Sequence, residues 1–217
     1  MGAAVGLREE KKARTRTNLT RCGIRLFARN GFRQTTVVDI AAAADVAPST
    51  FFLHFATKYD LLFNAHREVV RGLEGALASR EPGESTIDVI HRYYLERLER
   101  EASDELLVLR RKIMDNDPEL LGHEQMRFSE ALRPLLIKAF AQDLGTRRRS
   151  DERPRLLASL TIGALNEFGR ITSPDGARTP RQQKRQKQFL DSVARSLHAS
   201  VDEVAAREPA SGAVAMA

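Results

Sequence analysis

Residues 45–62 read DVAPSTFFLHFATKYDLL, and this stretch decides the fold. Phe51, Phe52 and Phe55 crowd into five positions of a 217-residue chain that has ten phenylalanines in all. A helix begun at Pro48 puts Phe51 and Phe55 four apart on one face. Pro48 suits its first turn, where the missing N–H would have no partner in any case. With Phe27, Leu26, Ile40, Ala41, Ala44 and Val46, the two rings can make a small core. Each ring stabilises such a core by roughly 1.5–3 kcal/mol on burial. Pro48, Ser49, Thr50, Phe52, Leu53 and His54 then lie on other faces. That mixture of hydroxyls, apolar groups and an imidazole suits a DNA major groove. There hydroxyls meet phosphates or bases, and apolar groups touch thymine methyls.

Upstream, Leu19, Cys22, Gly23, Leu26 and Phe27 form one apolar stripe of a helix over 11–30, with Arg14, Arg16, Arg21, Arg25 and Arg29 mostly off it. Cys22 reads as a small buried hydrophobe on that stripe. Gly31 is a stop signal. Thr36 with Asp39 makes a capping box for a short helix beginning at VVDIAAAAD, and Thr57 with Asp60 makes another, opening a fourth helix that runs to about Arg80. Three helices in the first sixty residues, the last two joined by ADVA, read as a helix-turn-helix unit.

The run LFARNGFRQTTVVDIAAAADVAPSTFFLHFATKYDLL carries an F…GF…TT…IA…A stretch, a turn, then S-T-F-F-x-H-F-x-x-K-x-x-L-L. Residues 11–62 thereby resemble the N-terminal domain of the TetR family of bacterial transcriptional regulators. The resemblance implies that the third helix reads an operator through Pro48, Ser49, Thr50, Phe52, Leu53 and His54. Thr36 and Lys58 would anchor the DNA backbone, with a basic arm from Arg8 to Arg16 in addition. Three positions depart from the family pattern: Asp45 stands for the turn glycine, Ala47 for the serine N-cap, and Phe52 for a tyrosine.

Glu81-Pro82-Gly83-Glu84-Ser85 is a break, and helical patterns follow at about 86–101, 104–115, 118–144, 151–172 and 180–207. Pro134 is expected to kink the third of these. SPDGARTP, residues 173–180, is a loop by composition, and 208–217 is expected to be a disordered tail. No stretch reads as a strand. The expected fold is all-α, with a DNA-binding domain at 1–57 and a ligand-binding and dimerisation domain at 58–207.

For the second domain the resemblance implies a small-molecule pocket and a homodimer through the last two long helices. Leu156, Leu157, Leu160, Ile162, Gly163, Ala164 and Phe168, then Phe189, Leu190, Val193, Ala194, Leu197 and Val201, supply two apolar faces. Pocket candidates are Phe63, His66, Tyr93, Tyr94, Leu98, Leu109, Ile113, Met126, Phe128 and Phe168, which would suit a mostly apolar effector. The same residues could simply pack the core.

Charge is unevenly spread. Residues 1–60 hold ten Lys and Arg against five Asp and Glu, while the rest hold twenty-five against twenty-four. Such a basic end points first to nucleic acid and second to an acidic membrane surface. No run of eighteen apolar residues and no apolar leader core is present, so no membrane partner is expected. The lone Cys22 fits a cytoplasmic setting. His66, His91, His123 and His198 are scattered without metal-ligand spacing, and neither a phosphate loop nor a nucleophile elbow occurs. No catalytic residue, metal or cofactor is therefore expected. The sequence reads as a ligand-responsive regulator, a repressor that binds a palindromic operator as a homodimer and is released by an apolar small molecule. The competing readings are a helical small-molecule-binding enzyme or carrier with an incidental basic N-terminus, and a protein of membrane surfaces.

Overall fold

The computed structural model describes residues 2–100, 104–146, 148, 150–171 and 179–206. Among them are ten helices and no strand: α1 (Gly2–Asn30), α2 (Val37–Ala43), α3 (Pro48–His54), α4 (Lys58–Leu62), α5 (Asn64–Ala78), α6 (Thr86–Arg100), α7 (Glu105–Asp115), α8 (Pro118–Asp143), α9 (Arg153–Ile171) and α10 (Pro180–Ala206). The all-α expectation holds. Most of the expected loop, 173–178, and the tail at 208–217 lie outside the described residues. α8 passes through Pro134 with its helical backbone unbroken.

The single helix expected from Thr57 to about Arg80 is two helices. Phe63 closes α4, its N–H bonding Tyr59 O at 2.9 Å, and His66 N–H then reaches back only to Phe63 O. The second of these bonds spans three residues rather than four, which marks a tightened turn. The Phe63 ring is buried with the N-terminal core, which holds the chain at the break.

The described chain divides into two compact units. The first comprises residues up to Glu68 together with Asp104–Gly122, so it runs past residue 57 and takes in α7. Its core explains this recruitment. Leu19, Ile24, Phe27, Ile40, Phe51, Phe55, Leu61 and Leu62 are joined there by Ile113, Met114 and Leu120. Three short helices have little apolar surface to bury, and α7 packed on α1 adds to it. Gly23 permits one close crossing: a Cβ there would sit 2.9 Å from both Leu61 methyls, and the buried Leu61 side chain would have to shift.

Both expected capping boxes form: Thr36 Oγ1 accepts the Asp39 N–H while Asp39 accepts the Thr36 N–H, and Thr57 and Asp60 do the same. At the end of α2, Asp45 takes the left-handed conformation, φ 55°, that its place in the turn demands. Val46 N–H bonds Ala41 O and Asp45 N–H bonds Ala42 O, the Schellman pattern. α2 and α3 meet at 99°.

In the second unit, α10 packs on α6 and α9. Leu190, Leu197 and Val204 are buried at seven-residue intervals along α10, against a core that includes Leu73, Ile87, Leu132, Leu136, Phe140 and Leu157. His91 pairs with Asp191 at 2.8 Å and Asp88 with His198 at 3.0 Å, two ties between α6 and α10. On α9 the expected dimer face separates into two. Leu157, Ile162 and Phe168 turn into their own core, whereas Leu156, Leu160 and Gly163 face outward.

Phe51 is fully buried, but its neighbour Phe52 is 57% exposed. Phe51→Ala should therefore cost about 3–5 kcal/mol of stability in urea denaturation, and Phe52→Ala less than about 1 kcal/mol. Equal losses at the two positions would refute the inward–outward division of α3.

Candidate nucleic-acid interface

α3 is a seven-residue helix with no side-chain cap at Ala47. So short a helix is unstable alone. Tertiary contacts hold it. Phe51 on its inner face and Phe55, the extended residue that caps its C-terminal end, are both buried, with ring centroids 5.6 Å apart. At its C-terminal end the Arg16 guanidinium donates to His54 O and to Asn64 Oδ1, and lies 4.2 Å over the Phe55 ring. A cation on the last carbonyls of a helix complements its dipole.

The outer face is open. Leu53 is 78% exposed, Pro48 and Ser49 are exposed, and Thr50 is half-buried. The six positions expected to read DNA thus share one short helix, with the hydroxyls in its first turn and Leu53 and Phe52 in its second. His54 is half-buried, and its Nδ1 is enclosed without a hydrogen-bond partner. Burial, then the positive charges of Arg16 and Lys12, push its pKa below the ordinary histidine value. The imidazole is neutral at neutral pH.

The two expected backbone anchors are occupied within the protein. Thr36 donates its hydroxyl proton to Asp39 Oδ2 at 2.7 Å. That hydrogen bond, with the one from the Thr36 N–H, holds the Asp39 carboxyl below the usual range. Lys58 Nζ donates to Phe32 O at 2.7 Å, Arg33 O at 3.1 Å and Thr35 O at 3.0 Å, and lies 4.6 Å over the Phe32 ring. An ammonium has three protons, and all three close the α1–α2 turn. Burial lowers the Lys58 pKa.

The basic end is also less free than its charge count. Arg25 pairs with Glu105 at 3.0 Å, and Arg33 with Glu119 at 2.5 Å and Asp117 at 3.6 Å. Exposed pairs of this kind stabilise by roughly 0–1 kcal/mol each, but they neutralise local charge. Arg16, expected in the arm, clamps α3 instead. It stands three residues before buried Leu19, on the stripe's own side of α1, a spacing that separates it from Arg14 but not from Lys12, one turn earlier on the same side. Lys11, Lys12 and Arg14 are exposed along α1.

The ten pocket candidates are not gathered in either unit. Phe63 and Ile113 are buried in the first core, Leu109 packs against it, and His66 stacks near Phe63 and meets Arg110. Tyr93, Tyr94, Leu98, Phe128 and Phe168 belong to the second core. Met126 is 52% exposed. The Tyr94 ring meets Phe168 edge-on at 5.6 Å, and Phe168 stacks on Phe189 at 6.2 Å.

Residues 19–65 match the family described as bacterial regulatory proteins, tetR family. Over 175 residues the chain is 30% identical to the HTH-type transcriptional regulator TcmR of Streptomyces glaucescens, covering 77% of this chain and 75% of that protein. Among solved structures it is similar to NalD, the secondary repressor of the MexAB-OprM multidrug efflux pump in Pseudomonas aeruginosa. That match has a TM-score of 0.57 and 21% identity, over 84% of this chain and 96% of that one. Salmonella enterica GusR gives a TM-score of 0.51 and 18% identity, over 83% and 95%. The two structural matches speak to the fold.

Replacing Lys58 by Met keeps the stem but leaves the Phe32, Arg33 and Thr35 carbonyls without their donor. Urea denaturation should show a loss of about 2 kcal/mol, the scale of hydrogen bonds to a charged group. An unchanged midpoint would mean that the tether contributes nothing.

Proposed function

The chain belongs to the TetR family of bacterial regulatory proteins, and we propose that it is a repressor that binds a palindromic operator as a homodimer and is released by a mostly apolar small molecule. It is a transcriptional regulator rather than an enzyme, as its relatives are. What carries the operator reading is the outer face of α3. Ser49, Phe52 and Leu53 stay exposed on a helix fixed from behind by Phe51 and Phe55 and at its end by Arg16. Rigid presentation of a short helix is what groove reading needs. Lys11, Lys12 and Arg14 supply exposed positive charge for the phosphates. A bacterial regulator acting on DNA in this way would work in the cytoplasm.

The dimer reading is supported by the outward stripe of α9. Leu156 and Leu160 are exposed, and a Cβ added at Gly163 would meet nothing within 4 Å. A second copy of the same stripe would cover it about a two-fold axis. Two α3 helices related by that axis would read half-sites about one helical turn, or a multiple of it, apart. The aromatic group Tyr93, Tyr94, Phe168 and Phe189 offers an apolar lining for an effector. An effector that favours the non-binding state by about 1–3 kcal/mol would weaken operator binding 5–150-fold.

Gel shifts against DNA flanking its own gene should give discrete retardation of a palindromic fragment, with affinity falling steeply as salt rises. Random DNA binding equally well would overturn the operator reading. Thr50→Ala should weaken the complex without altering the dimer. Lys58→Met should leave the salt slope unchanged, whereas loss of a phosphate contact would reduce its magnitude by about 0.9.

Leu160→Arg puts a charge into the outward stripe of α9. Light scattering should find this variant monomeric at concentrations where the parent is a dimer, with helix content retained. A variant that remains dimeric would remove α9 from the interface.

A further inference from the structure

We infer that α3 reads its operator chiefly through thymine 5-methyl groups, an inference that rests on the DNA-binding function proposed above. The seven residues of α3, PSTFFLH, include no Arg, Lys, Asn or Gln. Those are the side chains that pair bidentately with guanine or adenine edges in the major groove. α2, VVDIAAA, has none either. The polar groups that α3 does present are weak discriminators. Ser49 and Thr50 carry single hydroxyls, and with its Nδ1 enclosed His54 has one ring nitrogen, Nε2, to offer, too few for a bidentate contact.

What α3 offers outward in quantity is apolar. Leu53, at 78%, is the most exposed large apolar side chain among the described residues, and Phe52 is at 57%. Such groups on a short rigid helix call for an occupant that is itself apolar at those points. Charge complementarity selects it. Lys12 lies close enough to His54 to act on its ionisation, so positive charge borders the far end of α3. Lys11 and Arg14 stand exposed on the same helix as Lys12. A polyanion with apolar spots in a groove fits this surface, and the thymine methyl is the apolar mark that the major groove displays. The half-site should therefore be specified by A·T pairs with their methyls beneath Phe52 and Leu53, and G·C pairs should be specified poorly by this helix.

The test starts from duplexes carrying a 30-bp random centre, enriched by binding to the full chain. The strongest duplex is then remade with deoxyuridine at single thymidine positions, which removes one methyl and keeps the pairing edge. Affinity should fall about fourfold at each contacted methyl, the value of one buried methylene-sized group. Leu53→Ala should bind the thymidine duplex correspondingly less well and become indifferent to uridine at one position per half-site. Enriched half-sites specified by G·C pairs, or uridine duplexes bound as tightly as the parent, would overturn the inference while leaving the DNA-binding function standing. A uridine effect that keeps its full size at every position in Leu53→Ala would show that DNA deformability, rather than contact, is being read, and would also overturn it. Failure to enrich any duplex would bring down the DNA-binding function itself.

Discussion

Burial of Phe51 within a seven-residue helix, and of Phe55 at its C-terminal cap, is the constraint from which the functional architecture follows. Two turns of helix have no stability of their own. Their position is dictated by what the inward rings touch. Because α3 has those rings on one edge, its remaining residues are turned outward, whatever their polarity. The composition of the outer face is therefore free to vary with the operator, while the inner face is not.

The second constraint is electrostatic economy in a basic end. Of the cations there, Arg16 and Lys58 are used on backbone carbonyls, and Arg25 and Arg33 on carboxylates near α7. Each of the first two closes a chain end that would otherwise leave carbonyls unsatisfied, the end of α3 for Arg16 and the α1–α2 turn for Lys58. Guanidinium and ammonium divide the task by shape. The fork of Arg16 spans two acceptors and lies on a ring, and the three protons of Lys58 converge on three carbonyls.

Much of this was legible in the sequence because it is local. Capping boxes at Thr36 and Thr57, the Pro48 helix start and the four-residue spacing of Phe51 and Phe55 depend on neighbours within a turn, and each forms as read. The left-handed turn at Asp45 lies where the family pattern has its turn glycine. What escaped was non-local. Phe63 breaks a pattern that periodicity would carry through to Arg80, because its ring belongs to a core built partly by residues fifty positions away. The partners of Arg16, Arg33 and Lys58 lie 23 to 86 residues off, beyond any spacing rule. Likewise, hydrophobicity alone could not sort Leu156 and Leu160 from Leu157 and Ile162, since apolar residues serve a core and an open face alike.

Asp45 has a consequence for the joint between α2 and α3. A glycine in its place would relieve the left-handed strain but would also widen the range of backbone torsions open to both folded and unfolded chains. The two effects act on stability in opposite directions. On stiffness they do not: a residue with a Cβ has a narrow well at φ 55°, so the 99° elbow between the helices can flex only a little. The aspartate thus acts as a detent, and the angle at which the second arm of the elbow is offered is fixed before any partner arrives.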